Sequence, residues 1–168
     1  MDAGTFDNET APRLVRLRTV VSGGQTGVDR AALVAALEAG LATGGWCPRG
    51  RRAEDGRISD RFPLRETPSS GYEQRTSWNV RDSDATLILS GGAAVGGTAF
   101  TIEEAERLGR PCLTVMPDAE RIARVERWLA REGIATLNVG GPRESTEPGV
   151  YERAYRFLLD LFDRQRSP

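Results

Sequence analysis

None of the 168 residues is a histidine. That excludes Ser-His-Asp and Cys-His catalysis and every histidine-ligated metal centre. Lysine is absent too, so arginine supplies all 23 basic side chains. A Walker-type phosphate lysine and a Schiff-base lysine are thereby excluded. Guanidinium is left as the cation for anions, and it suits bidentate contact with phosphate. The two cysteines, Cys47 and Cys112, stand in no metal or disulfide spacing. There is no signal-peptide core and no apolar run of bilayer-spanning length, so a cytoplasmic location without membrane contact is expected. A net charge of -1 offers no generic basic surface for nucleic acid. Anion binding must therefore come from local clustering of arginines and glycines.

What is present is an alternation of strand and helix patterns. Residues 1–15 are polar and aperiodic, and read as a flexible tail before one domain over 16–168. A short apolar strand at 18–22 runs into Gly23-Gly24-Gln25-Thr26-Gly27 and then a helix with Val28, Ala31, Ala32, Ala35 and Ala39 at helical spacing. Thr26 with Asp29 fits a capping box. A strand is expected at 43–47, and an arginine-rich, aperiodic loop at 48–70. A helix over 72–82 and a buried strand over 84–89 follow. A second glycine turn, 91–98, precedes a helix capped by Thr101 and Glu104. Strands at 111–116 and 134–139 enclose a helix at 118–131, and Pro148 opens the last helix. This order predicts a Rossmann-like, doubly wound, mainly parallel sheet of about five strands with helices on both faces. Consecutive βα units are compatible with a central first strand.

Ligands of such sheets sit at the carboxyl ends of the strands. Three glycine-rich turns share that rim, at 23–27, 91–97 and 140–141, and two lead into helix starts that favour anions. None matches the dinucleotide fingerprint, which lowers hydride transfer in rank. Arg49, Arg51, Arg52, Arg57, Arg61 and Arg65 read either as a self-paired solvated loop or as a flap over a phosphate. Arg75 and Asn79 share a helix face, and Arg143 can reach the rim. Trp46, Tyr72 and Trp78 serve either as stacking platforms or as core. Cys47 is either reactive or buried and inert. Asp29, Glu54, Glu66, Glu103 and Glu104 are the acid-base candidates, with no carboxylate pair declared by spacing.

Several segments together resemble the molybdenum-cofactor carrier family of the SLOG superfamily. They are Ser22-Gly23-Gly24-Gln25-Thr26-Gly27-Val28-Asp29-Arg30, the run from Gly45-Trp46-Cys47-Pro48-Arg49-Gly50-Arg51-Arg52 to Gly56, Arg75-Thr76, Asn79-Val80, Gly97-Thr98 and Gly141-Pro142-Arg143-Glu144-Ser145. The resemblance implies a Rossmann-like homo-oligomer that binds an anionic small molecule, the molybdenum cofactor, a phosphorylated pterin whose dithiolene holds the metal. It carries over Gly23, Gly24, Gln25, Thr26, Gly27, Asp29, Arg30, Gly96, Gly97, Thr98 and the segment from Trp46 and Cys47 through Arg49, Arg51 and Arg52 as pocket residues. Arg75, Asn79 and Arg143 join them on their own spacing. The same superfamily contains lysine-decarboxylase-like phosphoribohydrolases. Their glycine motif is departed from here: Ala99, Phe100 and Thr101 follow Gly96-Gly97-Thr98 where a glutamate is expected, so Glu103 or Glu104 would have to substitute.

Three readings follow. The first is a carrier that protects the cofactor and hands it to molybdoenzymes. The second is a nucleotide N-glycosidic hydrolase, and the third a nucleotide-signal sensor. All three use one phosphate-binding pocket, and all three expect Arg49→Ala or Arg51→Ala to weaken anion binding more than Arg121→Ala.

Overall fold

A computed structural model describes residues 15–166 of the chain. Residues 1–14 of the expected tail lie outside the described residues. Five strands form one all-parallel sheet: β1 (Thr19–Val21), β2 (Ala42–Gly44), β7 (Ala85–Leu89), β8 (Cys112–Val115) and β9 (Thr136–Gly140). Their order is β2-β1-β9-β7-β8. The central strand is therefore the last in sequence and not the first. β9 inserts between β1 and β7, pairing Val20 with Leu137 and Leu87 with Val139.

Side-chain alternation divides the sheet into two unlike faces. Val20, Leu87, Leu89, Leu137 and Val139 join one apolar core with α1 (Val28–Glu38), α4 (Ile122–Glu132) and α5 (Val150–Arg166). The alanines of α1 let α5 approach closely. The residues between them, Thr86, Ile88 and Asn138, fall on the other face, where α2 (Tyr72–Arg81) and α3 (Gly96–Arg107) pack on one another. That face is partly polar, with Asn138 Nδ2 donating to Thr86 Oγ1 over 3.2 Å.

The expected strand at 43–47 divides at Gly45, where φ is +123°. A Cβ there would meet Asn79 Oδ1 at 2.9 Å and Ser22 N at 3.0 Å. The chain turns out of the main sheet, and β3 (Trp46–Cys47) pairs instead with β6 (Arg65–Glu66). The expected irregular loop between them is ordered: β4 (Arg52–Ala53) and β5 (Gly56–Arg57) form a hairpin. Ile58, Phe62 and Leu64 bury against Leu33 and Cys47 in a second small core.

Arg51 organises this insert. It is buried, with φ +53°, and its guanidinium donates to the carbonyls of Ile58, Ser59, Phe62 and Leu64 at 2.9–3.1 Å. Arg51→Ala leaves those carbonyls without their donor, at a cost of about 3 kcal/mol. Limited proteolysis of the variant is expected to cut first within 48–70. A cleavage pattern and urea midpoint equal to the wild type would contradict this role.

Helix starts also differ from expectation. Gly27, not Thr26, precedes α1, and no side chain caps it. α3 begins at Gly96, five residues before Thr101, whose hydroxyl donates back to the Gly97 carbonyl within the helix. α5 begins at Val150, two residues after Pro148. A 3-10 turn, Ala119–Arg121, leads into α4.

Candidate functional site

The turns after β1, β7 and β9 converge on one rim and enclose a cleft of about 1160 Å³. α1 and α3 leave these strands on opposite faces of the sheet, the arrangement in which ligands bind open α/β sheets. One wall is apolar, with Val95, Phe100, Met116 and Pro117. Val95 and Met116 are 59% and 47% exposed. Tyr72, Arg75 and Arg143 also line the cleft.

Of the residues nominated from sequence, Gln25, Asp29, Arg75, Gly96, Gly97, Thr98 and Arg143 line this cleft. Asp29 is buried and receives Arg75 Nη1 at 2.9 Å and the Gln25 backbone N–H at 3.3 Å. It serves this pair and not a capping box. Burial pushes its carboxyl above the ordinary aspartate range, against the lowering pull of Arg75. Gln25 is fixed by its Oε1, which accepts from Thr26 N at 3.0 Å and Glu54 N at 2.8 Å. Its Nε2 is then a buried donor with no partner, as is Arg75 Nε. Unpartnered buried donors are uncommon, and these two lie beneath the cleft surface.

The two glycine turns that enter helices are unlike. At α1 the amides are satisfied internally: Val28 N reaches the Pro142 carbonyl at 3.3 Å, and Thr26 N and Gln25 N are taken as above. Gly27, with φ +77°, allows that contact, since a Cβ would strike the Pro142 carbonyl. Gly24 makes room for Leu64 and Ile58, and Gly23 for the Arg75 guanidinium. At α3, Gly96 and Gly97 are exposed on the cleft, with no side-chain cap and no acidic residue in the first turn. The positive end of that helix dipole is therefore open on the cleft.

The remaining nominated residues stand behind the cleft. Arg30 pairs with Asp55 at 2.8 Å and donates to the Gly24 carbonyl. Asn79 clamps both backbone polar groups of Trp46, at 2.7 and 2.9 Å. The Trp46 ring packs edge-on against Trp78 at 4.7 Å under Arg65. Cys47 is buried, and burial raises its thiol above the ordinary range, which suits an inert side chain. Arg49 is exposed outside the cleft lining. Arg51 is committed to the insert. Arg52 reaches the Ser70 carbonyl and lies 5.5 Å from the Tyr72 ring.

Tyr72 gathers Arg52, Arg75 and Arg143 within 5.0–5.5 Å of its ring, from three separate segments. Sequence spacing cannot show such a convergence. Glu54 latches the insert to the rim: its carboxylate accepts from Thr26 Oγ1, Ser145 Oγ and Ser145 N, which holds it below the ordinary glutamate range. Gly91, in the rim turn read from the sequence, lines the cleft; Asp118, Glu147 and Arg153 are cleft residues that sequence reasoning missed.

The proposed substitutes for the displaced glutamate do not serve. Glu103 is exposed and outside the lining. Glu104 is a buried partner of Arg107, at 2.7 and 2.9 Å, and hydrogen bonds to Arg107 and Ser77 hold it down to about 2. Its folded value lies below its unfolded one, so its stabilisation is present above about pH 4.5 and fades towards pH 2. With Arg107 largely exposed, the contribution is about 1 kcal/mol. Glu104→Gln is therefore expected to lower the urea midpoint at pH 7 and leave it unchanged near pH 2. A uniform loss at both would contradict the assignment.

Fold and cleft together define a Rossmann-like α/β protein with an open cleft at the carboxyl ends of its strands. Residues 20–162 match the profile of the circularly permutated YpsA SLOG family, and the chain belongs to that family. It is also similar to a solved structure from Syntrophus aciditrophicus SB bearing the name "Putative molybdenum carrier protein". The two are 40% identical with a TM-score of 0.83, over 88% of this chain and 95% of that one. The curated proteins give no match. Among the described residues, no helix is long and apolar enough to cross a membrane, and no cluster of His, Cys, Asp and Glu could hold a metal ion.

Proposed function

We propose that the chain binds the molybdenum cofactor in this cleft, protects it, and passes it to molybdoenzymes in the cytoplasm, acting as a homo-oligomer. The observation that carries the reading is the exposed, uncapped first turn of α3 at Gly96 and Gly97, in a cleft that Arg143 also lines. These groups fit a phosphate. The apolar wall of Val95, Phe100 and Met116 fits a flat ring. The metal of this cofactor is held by the pterin's own dithiolene, so the site needs no protein metal ligands. The name carried by the Syntrophus aciditrophicus SB relative supports the same reading.

A nucleotide would satisfy the same donors. The hydrolase reading loses its two substitute carboxylates, because neither Glu103 nor Glu104 lines the cleft. Native mass spectrometry with metal analysis, on protein incubated anaerobically with the cofactor beside AMP and ADP-ribose, tests the proposal. Retained cofactor with stoichiometric molybdenum is expected. Retention of a nucleotide alone, or base release from nucleoside monophosphates, would replace the carrier reading with the sensor or the hydrolase.

A further inference from the structure

The turn after β7 exposes the backbone N–H of Gly91 at the mouth of the cleft, and this donor is already occupied. Glu147, from the loop between β9 and α5, places both carboxylate oxygens on it, at 3.2 and 3.4 Å. Arg153, one turn into α5, donates to the same carboxylate at 2.8 Å. Gly91, Glu147 and Arg153 all line the cleft. A backbone amide and a guanidinium converging on one anion are the components of a phosphate seat, with a side-chain carboxylate as its occupant.

We infer that Gly91 N and Arg153 form an anion seat for a phosphoryl group of the ligand, occupied in the free protein by the chain's own Glu147. This rests on the cleft being the ligand site, and it adds a gate that the proposed function does not require. Glu147 sits on a turn, with its side chain about one-quarter exposed and its partner Arg153 about half exposed. Swinging the carboxylate into water uncovers both donors without opening the core. An intramolecular competitor lowers apparent affinity by the fraction of molecules in which the seat is open. Removing the competitor therefore raises affinity, the reverse of what removing a ligand contact does.

The test follows the Gly91 amide by NMR while inorganic pyrophosphate is titrated into wild type, Glu147→Gln and Glu73→Gln. Glu73 also lines the cleft, and its substitution makes the same change of charge without touching Gly91. The expected result is a Gly91 shift that saturates at about tenfold lower pyrophosphate in Glu147→Gln than in wild type, with a much smaller change in Glu73→Gln. Equal gains in the two variants would reduce the effect to net charge and overturn the inference. So would weaker binding in Glu147→Gln, or a Gly91 amide that does not respond in either. A phosphorylated pterin that binds without moving Gly91 would leave the proposed function standing and remove the gate. Pyrophosphate binding at Gly91 with no pterin binding would do the opposite.

Discussion

Arg143→Ala is expected to weaken binding of phosphate-bearing ligands by about tenfold to a hundredfold, the loss of one charge-assisted contact of roughly 1.5–3 kcal/mol. Arg143 stands on the rim beside Tyr72, and its nearest carboxylate, Glu54, is 3.9 Å away and already engaged by Thr26 and Ser145. Its charge is therefore free to meet a ligand. With the side chain 40% exposed, its loss leaves no buried partner. Stability is expected to change by less than about 0.5 kcal/mol. Arg131→Ala, on α4 and 71% exposed, is the matched control. Arg121 is unsuited to that purpose, because it lies 2.6 Å from the cleft residue Asp118. Calorimetric titration with AMP and with a phosphorylated pterin measures the effect. Equal affinities for the two variants would place the anion elsewhere.

Arg75→Met is expected to cost stability as well as binding. Its side chain and that of Asp29 are 11% and 9% exposed, and their contact is the most buried ion pair among the described residues. Removing the cation strands a carboxylate that burial already pushes upward, a loss of about 3–5 kcal/mol. The sign with pH is definite. A carboxyl whose folded value is raised favours the folded state at low pH and opposes it as pH rises through that value. The deficit of Arg75→Met is therefore expected to shrink as the pH is lowered from 8 towards the ordinary aspartate range. Adding Asp29→Asn is expected to recover much of it at pH 8, as a double-mutant cycle would show. A deficit independent of pH would mean that Asp29 is not the group left behind.

Much of the architecture is legible in the sequence because local patterns dictate it. The apolar run Ala-Thr-Leu-Ile-Leu at 85–89 has to be an inner parallel strand, and it is buried throughout. The alanine face of α1 announces close helix packing. Strand order is not local, and nothing in the sequence says that β9 inserts between β1 and β7. The insert at 48–70 was harder still. Its arginines admit a flap or a self-paired loop, and only the folded chain shows Arg51 turned inward onto four carbonyls and Arg57 paired with Asp60 at 2.9 Å. The glycine turns were visible, but their roles were not. Gly24 and Gly27 make room for neighbours, whereas Gly96 and Gly97 leave open space. Tyr72 reads from the sequence as a stacking or core residue, because Arg52 and Arg143 join the helical neighbour Arg75 over its ring only through tertiary structure.

Gly97 offers the most direct test of where the ligand sits. A Cβ on Gly97 meets nothing within 4 Å, and the residue lines the cleft at the start of α3. Gly97→Leu therefore fills ligand space without disturbing the core. The measurement is molybdenum retained per chain after anaerobic incubation with the cofactor and desalting, for wild type and Gly97→Leu. The account predicts about one molybdenum per wild-type chain and near none for the variant, with unchanged thermal stability. Equal retention by the two proteins would contradict it and place the cofactor outside the cleft.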